Sequence, residues 1–144
     1  MKDKLKIVLD TNVLLVSISS RSDYHWIFQK LLAGEFDICI TNDILLEYEE
    51  IISQKFNTLV ASDVVRVVLT LPNVYFANVF FEWRLIGADP DDHKVVDCAI
   101  SANADFIVSN DKHFDVLKKT SFPVVEVLNV KKFKKLLDKR ARTK

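Results

Sequence analysis

Lys6-Ile7-Val8-Leu9-Asp10-Thr11-Asn12 is a short apolar run that stops at an acid. A run of this kind without polar alternation suits a parallel strand buried on both faces, and it leaves Asp10 at the strand's carboxyl end. Thr11 and Asn12 are then expected to open a turn.

Outward from this point the chain alternates helices and strands. Tyr24 to Ala33 places Trp26, Ile27, Phe28, Leu31 and Leu32 near helical spacing, and Gly34 follows where a helix commonly stops. Phe36 to Ile40 (FDICI) reads as a strand, and Thr41 to Asp43 offers caps for a helix carrying Leu45, Leu46, Glu47, Tyr48 and Ile52. Ser62 to Leu71 predicts another helix ending at Pro72, and Val74 to Phe81 fits either a strand or an extended link. Asp89 to Asp92 (DPDD) predicts a turn and helix start, with helix from His93 to Asn103 that carries Asp97. Ala104 to Ser109 is a fourth strand ahead of Asn110 and Asp111, and Pro123 to Leu128 is a fifth. The final helix, Val130 to Lys139, puts Val130, Phe133, Leu136 and Leu137 on one face.

Strands separated by helices imply crossover connections and ligand sites beyond the strands' carboxyl ends. The expected fold is therefore α/β, a three-layer α/β/α sandwich around a mainly parallel sheet. At 144 residues the chain suits one domain, 1–144, with a basic C-terminal helix and tail at about 130–144. Two glycines and three prolines leave little material for the tight hairpins of an all-β fold. With 49% hydrophobic against 28% charged residues, the composition argues against disorder. Cys39 and Cys98 lie in apolar stretches without ligand spacing, so both are expected as buried free thiols. The opening MKDKLKIVLD is too polar for a signal peptide, and no run approaches a membrane span, so the expected setting is cytoplasmic, with no membrane partner.

Acids recur at the strand ends and on the flanking helices, where they would repel one another without a cation between them. A hard divalent ion, Mg2+ or Mn2+, suits such an all-oxygen set, and in nucleases holds the attacking water and leaving oxygen of a phosphodiester in line. Asp10, Glu47, Asp97 and Asp111 are the candidates, each with a plainer alternative: a helix cap for Asp10 and Asp111, a surface glutamate for Glu47, a solvated helix position for Asp97. His25, His93 and His113 are scattered, and none is assigned to catalysis.

Three blocks, IVLDTNVLL, ITNDILLEYEEII and DDHKVVDCAISANADFIVSNDKHF, together resemble the signature blocks of PIN-domain proteins. The similarity is greatest to the VapC-like toxin component of bacterial and archaeal toxin–antitoxin pairs. The resemblance implies a metal-dependent endoribonuclease in which Asp10, Glu47, Asp97 and Asp111 form the acid quartet, leaving 5′-phosphate and 3′-hydroxyl ends. It also implies that Asp92 can support the site, that Thr11, Asn12 and Ser109 can hydrogen-bond metal water or a carboxylate, and that the partners are an RNA substrate, an antitoxin protein and a second copy of the chain. Trp26, Phe80, Phe81 and Trp83 could form such interfaces or simply fill the core.

The formal charge of zero conceals a separation. The last 14 residues carry eight basic side chains and one acid, a surplus of seven, so the first 130 residues carry an equal negative excess. Lys131, Lys134, Lys135 and Arg140 in this segment are candidate phosphate contacts; a solvated helix face is the plainer account. Two other enzyme classes with a strand-end Asp fit poorly. Haloacid-dehalogenase phosphatases want an acid two residues later, where Asn12 stands, and receiver domains want paired acids ahead of their phosphoacceptor. The stronger rival is a PIN-like module that binds RNA or protein without cutting.

Overall fold

The computed structural model describes residues 4–79, 90–119 and 124–142, with backbone alone at 90–92 and 118–119. The elements in chain order are β1 (Lys6–Leu9), α1 (Thr11–Ile18), α2 (His25–Leu32), β2 (Asp37–Ile40), α3 (Asn42–Lys55), α4 (Thr58–Thr70), β3 (Val74–Phe76), α5 (Pro90–Ser101), β4 (Phe106–Val108), a 3₁₀ helix (Lys112–Lys119), β5 (Val127–Leu128) and α6 (Val130–Arg142). They form the expected three-layer α/β/α arrangement, and every strand pairing is parallel, in the order β3-β2-β1-β4-β5.

This order places the site. The chain moves outward from β1 through β2 to β3 and then crosses back to lay β4 on the other side of β1. The strand order therefore reverses between β1 and β4, and a crevice opens there beyond the carboxyl ends, the usual ligand position in open parallel sheets. The register pairs Ile7 with Phe106, Val8 with Ile107 and Leu9 with Val108, and the amide of Asp10 continues it by donating to the Val108 carbonyl at 3.1 Å. Asp10 and Ser109 are thus neighbours across the switch point.

β1 is central, with Ile7, Val8 and Leu9 all fully buried, which is why its sequence shows no alternation. Each such side chain contributes roughly 1.5–3 kcal/mol by leaving water. α6 seats Phe133 edge-on against Phe36, with ring centroids 5.2 Å apart, and beside Trp26 of α2. That contact fastens the basic helix to the body.

Local signals account for most helix limits. The Thr41 hydroxyl caps α3 by accepting from the Ile44 amide at 3.1 Å, and the Asn57 side chain caps α4 through Val60 at 2.8 Å. Gly34, at a φ of 73°, ends α2 in the left-handed conformation that a glycine adopts without penalty. One expectation is corrected: Thr11 and Asn12 do not open a turn but begin α1 directly. Its sequence, TNVLLVSI, is β-branched and apolar, and tertiary burial of Val13 and Leu14 overrides that local preference. Elsewhere only boundaries move. β3 is a strand over three residues of the ambiguous segment, α5 begins at Pro90, and α6 runs on to Arg142. Among the described residues no helix is long and apolar enough to cross a membrane. Cys39 and Cys98 are buried and unbonded, and burial pushes their thiols up to about 11 and about 12, so neither is a ready nucleophile.

Candidate active site

Asp10 stands at the N-cap position of α1, but its side chain makes no capping hydrogen bond. Instead one carboxylate oxygen accepts from the Ser109 hydroxyl at 2.7 Å. The same Ser109 oxygen accepts from the Asp111 amide at 3.0 Å, so a single hydroxyl sets the spacing between the two strand-end acids. Burial pushes the Asp10 carboxyl above the ordinary Asp range, the Ser109 bond opposes that, the charge of nearby Asp111 pushes it further up, and the backbone amides of Thr11 and Asn12, though short of a well-formed cap, draw it back in smaller measure. A cavity of about 300 Å³ lies between these strand ends, with Asp10, Asn12, Asn110 and Asp111 among the residues that line it.

Asp111 does act as a cap, accepting from the His113 amide at 2.9 Å at the start of the 3₁₀ helix, while remaining at the cavity wall. Its neighbour Asn110 faces the other way along the chain and accepts from the Val130 amide at 3.0 Å, which ties the first residue of α6 to the cavity rim.

Glu47 enters from α3. Its carboxylate accepts a hydrogen bond from the Thr11 hydroxyl, which joins α3 to the residue following Asp10. The adjacent Tyr48 is fully buried and donates its hydroxyl to the Leu9 carbonyl at 2.6 Å, at the carboxyl end of β1. Burial raises the Tyr48 phenol well above its usual range, and Cys98, Asp10 and Glu47 add to the effect, so this hydroxyl keeps its proton and stays a donor. Tyr48 therefore holds the level at which Glu47 meets the β1 terminus. Asp97 lies on α5, which packs against β1, β4 and α3, and is only 5% exposed. Buried acids are uncommon without a partner or an ion, so the solvated alternative for Asp97 does not apply.

The structure thus brings Asp10, Asp111 and Asn12 to one cavity, with Ser109 bonded to both acids, and joins Thr11 to Glu47. Glu47 and Asp97 do not line that cavity. Among the described residues no group of three His, Cys, Asp or Glu side chains gathers into a metal-holding cluster. The donor chemistry nonetheless fits magnesium or manganese. Such ions keep several waters and are commonly held by one or two carboxylates together with substrate phosphate, rather than by a full protein cage. Asp10 and Asp111 supply that pair. The side chain of Asp92, and Phe80, Phe81 and Trp83, lie outside the described residues. Lys131, Lys134 and Lys135 are exposed on α6 and Arg140 is partly so; Lys134 pairs with Asp138 at 3.2 Å and lies over the Trp26 ring.

Reasoning from the sequence missed Tyr48 and Asn110. A tyrosine in the Ile44, Tyr48, Ile52 stripe needs a buried partner for its hydroxyl, and that was the available signal. Asn110 left no such mark, because its partner is twenty residues away.

The family model of the PIN domain matches residues 6–113, from β1 to just beyond Asp111. The chain belongs to the PIN-domain family. The match covers the three resembling blocks, short only of Phe114 at the end of the third, and both cavity acids. No curated protein matches this PIN-domain chain in sequence. Among solved structures, a chain of the Rickettsia felis VapBC2 complex, bound to a promoter DNA fragment, is similar at a TM-score of 0.61 and 19% identity, over 87% of this chain and 98% of that one. Mycobacterium tuberculosis VapC20, a toxin that cleaves the sarcin–ricin loop, is similar at 0.58 and 14% identity, over 76% of this chain and 92% of that one. The PIN-domain endonuclease Utp24 follows at 0.53 and 15%, covering 87% and 84%. At these identities the likeness is one of fold.

Proposed function

We propose that this PIN-domain protein is a divalent-metal-dependent endoribonuclease, with Asp10, Glu47, Asp97 and Asp111 as its catalytic and metal-binding acids. The observation that carries the reading is the Asp10 carboxylate. It is buried, accepts from the Ser109 hydroxyl, and shares a cavity with Asp111. A buried acid so placed needs a function other than structure to account for it.

Asp10 and Asp111 would hold Mg2+ or Mn2+, with Glu47, Asp97 and Asp92 contributing directly or through water. When bound, the ion supplies positive charge at the scissile phosphate and acidifies water toward neutrality. The remaining work falls to the chain itself. Ser109 orients Asp10 and favours its ionised form against the effect of burial, Thr11 positions Glu47, and the exposed amide of Asn12 donates to substrate oxygen. Lys131, Lys134, Lys135 and Arg140 meet the phosphates of the strand leading away from the cavity, since Asn110 ties the start of α6 to its rim. The chain is taken as a single domain whose C-terminal part is this basic helix.

The biological role proposed is the toxin of a toxin–antitoxin pair acting in the cytoplasm, supported by fold likeness to VapBC2 and VapC20. An antitoxin or a second copy of the chain would need an apolar helical surface. Leu46 of α3 and Leu59 of α4, 63% and 70% exposed, are the large apolar side chains most open to such a contact on the described helices.

A non-catalytic RNA- or protein-binding module is the second reading, favoured by the absence of a gathered three-acid cluster among the described residues. A mixed RNA pool incubated with magnesium, manganese or chelator separates the two. Cleavage that requires metal and is lost in both Asp10→Asn and Asp97→Asn, with folding intact, is the expected result. RNA binding without cleavage under any metal would leave the module.

A further inference from the structure

The cavity lining is of two kinds. Asp10, Asp111, Asn12 and Asn110 are polar, and the proposed chemistry uses them. Val13, Val16 and Tyr24 are largely apolar, and metal-assisted hydrolysis does not require them. Tyr24 is 41% exposed, and so is Val16. Among the described residues the Tyr24 ring stacks on no other aromatic, and its hydroxyl has no hydrogen-bond partner. An aromatic side chain left this open in the lining of a cavity that also carries two acids is a surface for a planar ligand.

The backbone beneath it is well fixed. The Tyr24 amide donates to the Ser22 hydroxyl at 3.1 Å, the His25 amide to the Ser22 carbonyl at 3.1 Å, and the Tyr24 carbonyl accepts from the Ile27 amide at 3.0 Å. The His25 ring bonds the Ser17 carbonyl at 2.8 Å, tying the start of α2 to the end of α1, the helix that begins at Asp10. The Tyr24 backbone is therefore anchored to α2 and, through His25, to the helix that starts at Asp10.

We infer that Tyr24 is a stacking platform for the nucleobase next to the scissile phosphate. The inference rests on the nuclease reading for the identity of the phosphate, but the platform itself is a binding feature. A cavity of about 300 Å³, at the small end of ligand pockets, suits one nucleotide. Every base has an apolar face, so the platform accepts any of the four.

The test measures two quantities in parallel for the unaltered protein, Tyr24→Phe, Tyr24→Leu and Tyr24→Ala. One is anisotropy of a labelled single-stranded RNA with calcium in place of magnesium; the other is KM and kcat for cleavage in magnesium. Leu and Ala are expected to weaken binding and raise KM by roughly tenfold or more, as loss of one base stack does, while Phe retains both. Substrates with an abasic site beside the cleaved bond should bind the unaltered protein more weakly by a similar factor and make no difference to Tyr24→Ala. A purely structural role would not produce that pairing. Cleavage and binding unchanged in Tyr24→Ala would overturn the platform and leave the nuclease reading intact. Tyr24-dependent binding with no cleavage under any metal would keep the platform and overturn the nuclease.

Discussion

Asp10 gives its carboxylate to Ser109 although it stands where a helix cap is wanted, and that choice has a consequence for stability. Its carboxyl is raised by burial, so the folded chain holds this proton to a higher pH than the unfolded chain does. Between the unfolded and folded values the native state binds more protons, and stability falls as pH rises through that window. Above it, ionised Asp10 is a standing destabilisation. In metal-free buffer near neutrality Asp10→Asn is therefore expected to melt at a higher temperature than the unaltered protein while losing cleavage. The gain should shrink as pH drops below the ordinary Asp range, where both states carry a neutral group. Equal melting temperatures near neutrality would mean that Asp10 is not strained by its charge. Added magnesium should raise the melting temperature of the unaltered protein and not of Asp10→Asn. The acid itself was legible in the run KIVLD, because a strand that stops at a carboxylate shows in one dimension. Its turning from the helix to Ser109 was not, since that serine lies ninety-nine residues away.

Among the elements, α3 carries the clearest coupling between packing and site. Ile44, Tyr48 and Ile52 bury one face, and the Tyr48 hydroxyl bonds the Leu9 carbonyl, so the helix is located against the end of β1 by one polar contact in an apolar core. Tyr48→Phe keeps the ring and removes that contact. The expected cost is about 1–2 kcal/mol, read as a lower urea midpoint at unchanged slope, with a fall in cleavage as Glu47 loses its alignment with Thr11. A loss of stability with full activity would separate Tyr48 from the positioning of Glu47. Helix periodicity announced α3 and its Thr41 cap. It failed at α1, whose Val, Leu and Ile content reads equally as strand, because burial against the sheet decides the conformation of such segments.

For the molecule as a whole, charge separation becomes geometry. An acidic body holds the cavity, and the basic helix α6 starts at its rim through the Asn110 bond to Val130. RNA affinity is expected to fall steeply with salt. Replacing Lys131, Lys134, Lys135 and Arg140 by glutamine should weaken binding uniformly across sequences and flatten the logarithmic salt dependence by roughly 0.7 for each phosphate contact removed. A slope unchanged by the four substitutions would assign α6 to the solvated face that its sequence alone allows.

The sequence by itself determined the α/β rhythm, the buried character of β1, the order of the acids, and the blocks by which the chain resembles PIN domains. These are properties of hydrophobic periodicity and of residue type at chain positions, which survive in one dimension. Only the tertiary structure decided that β4 crosses back to lie beside β1, that Ser109 therefore spaces Asp10 from Asp111, and that Tyr24 lines the same cavity as these acids. The physical reason is that strand order and the far partner of a hydrogen bond are set by which buried faces fit together, and the local chain carries no record of that choice.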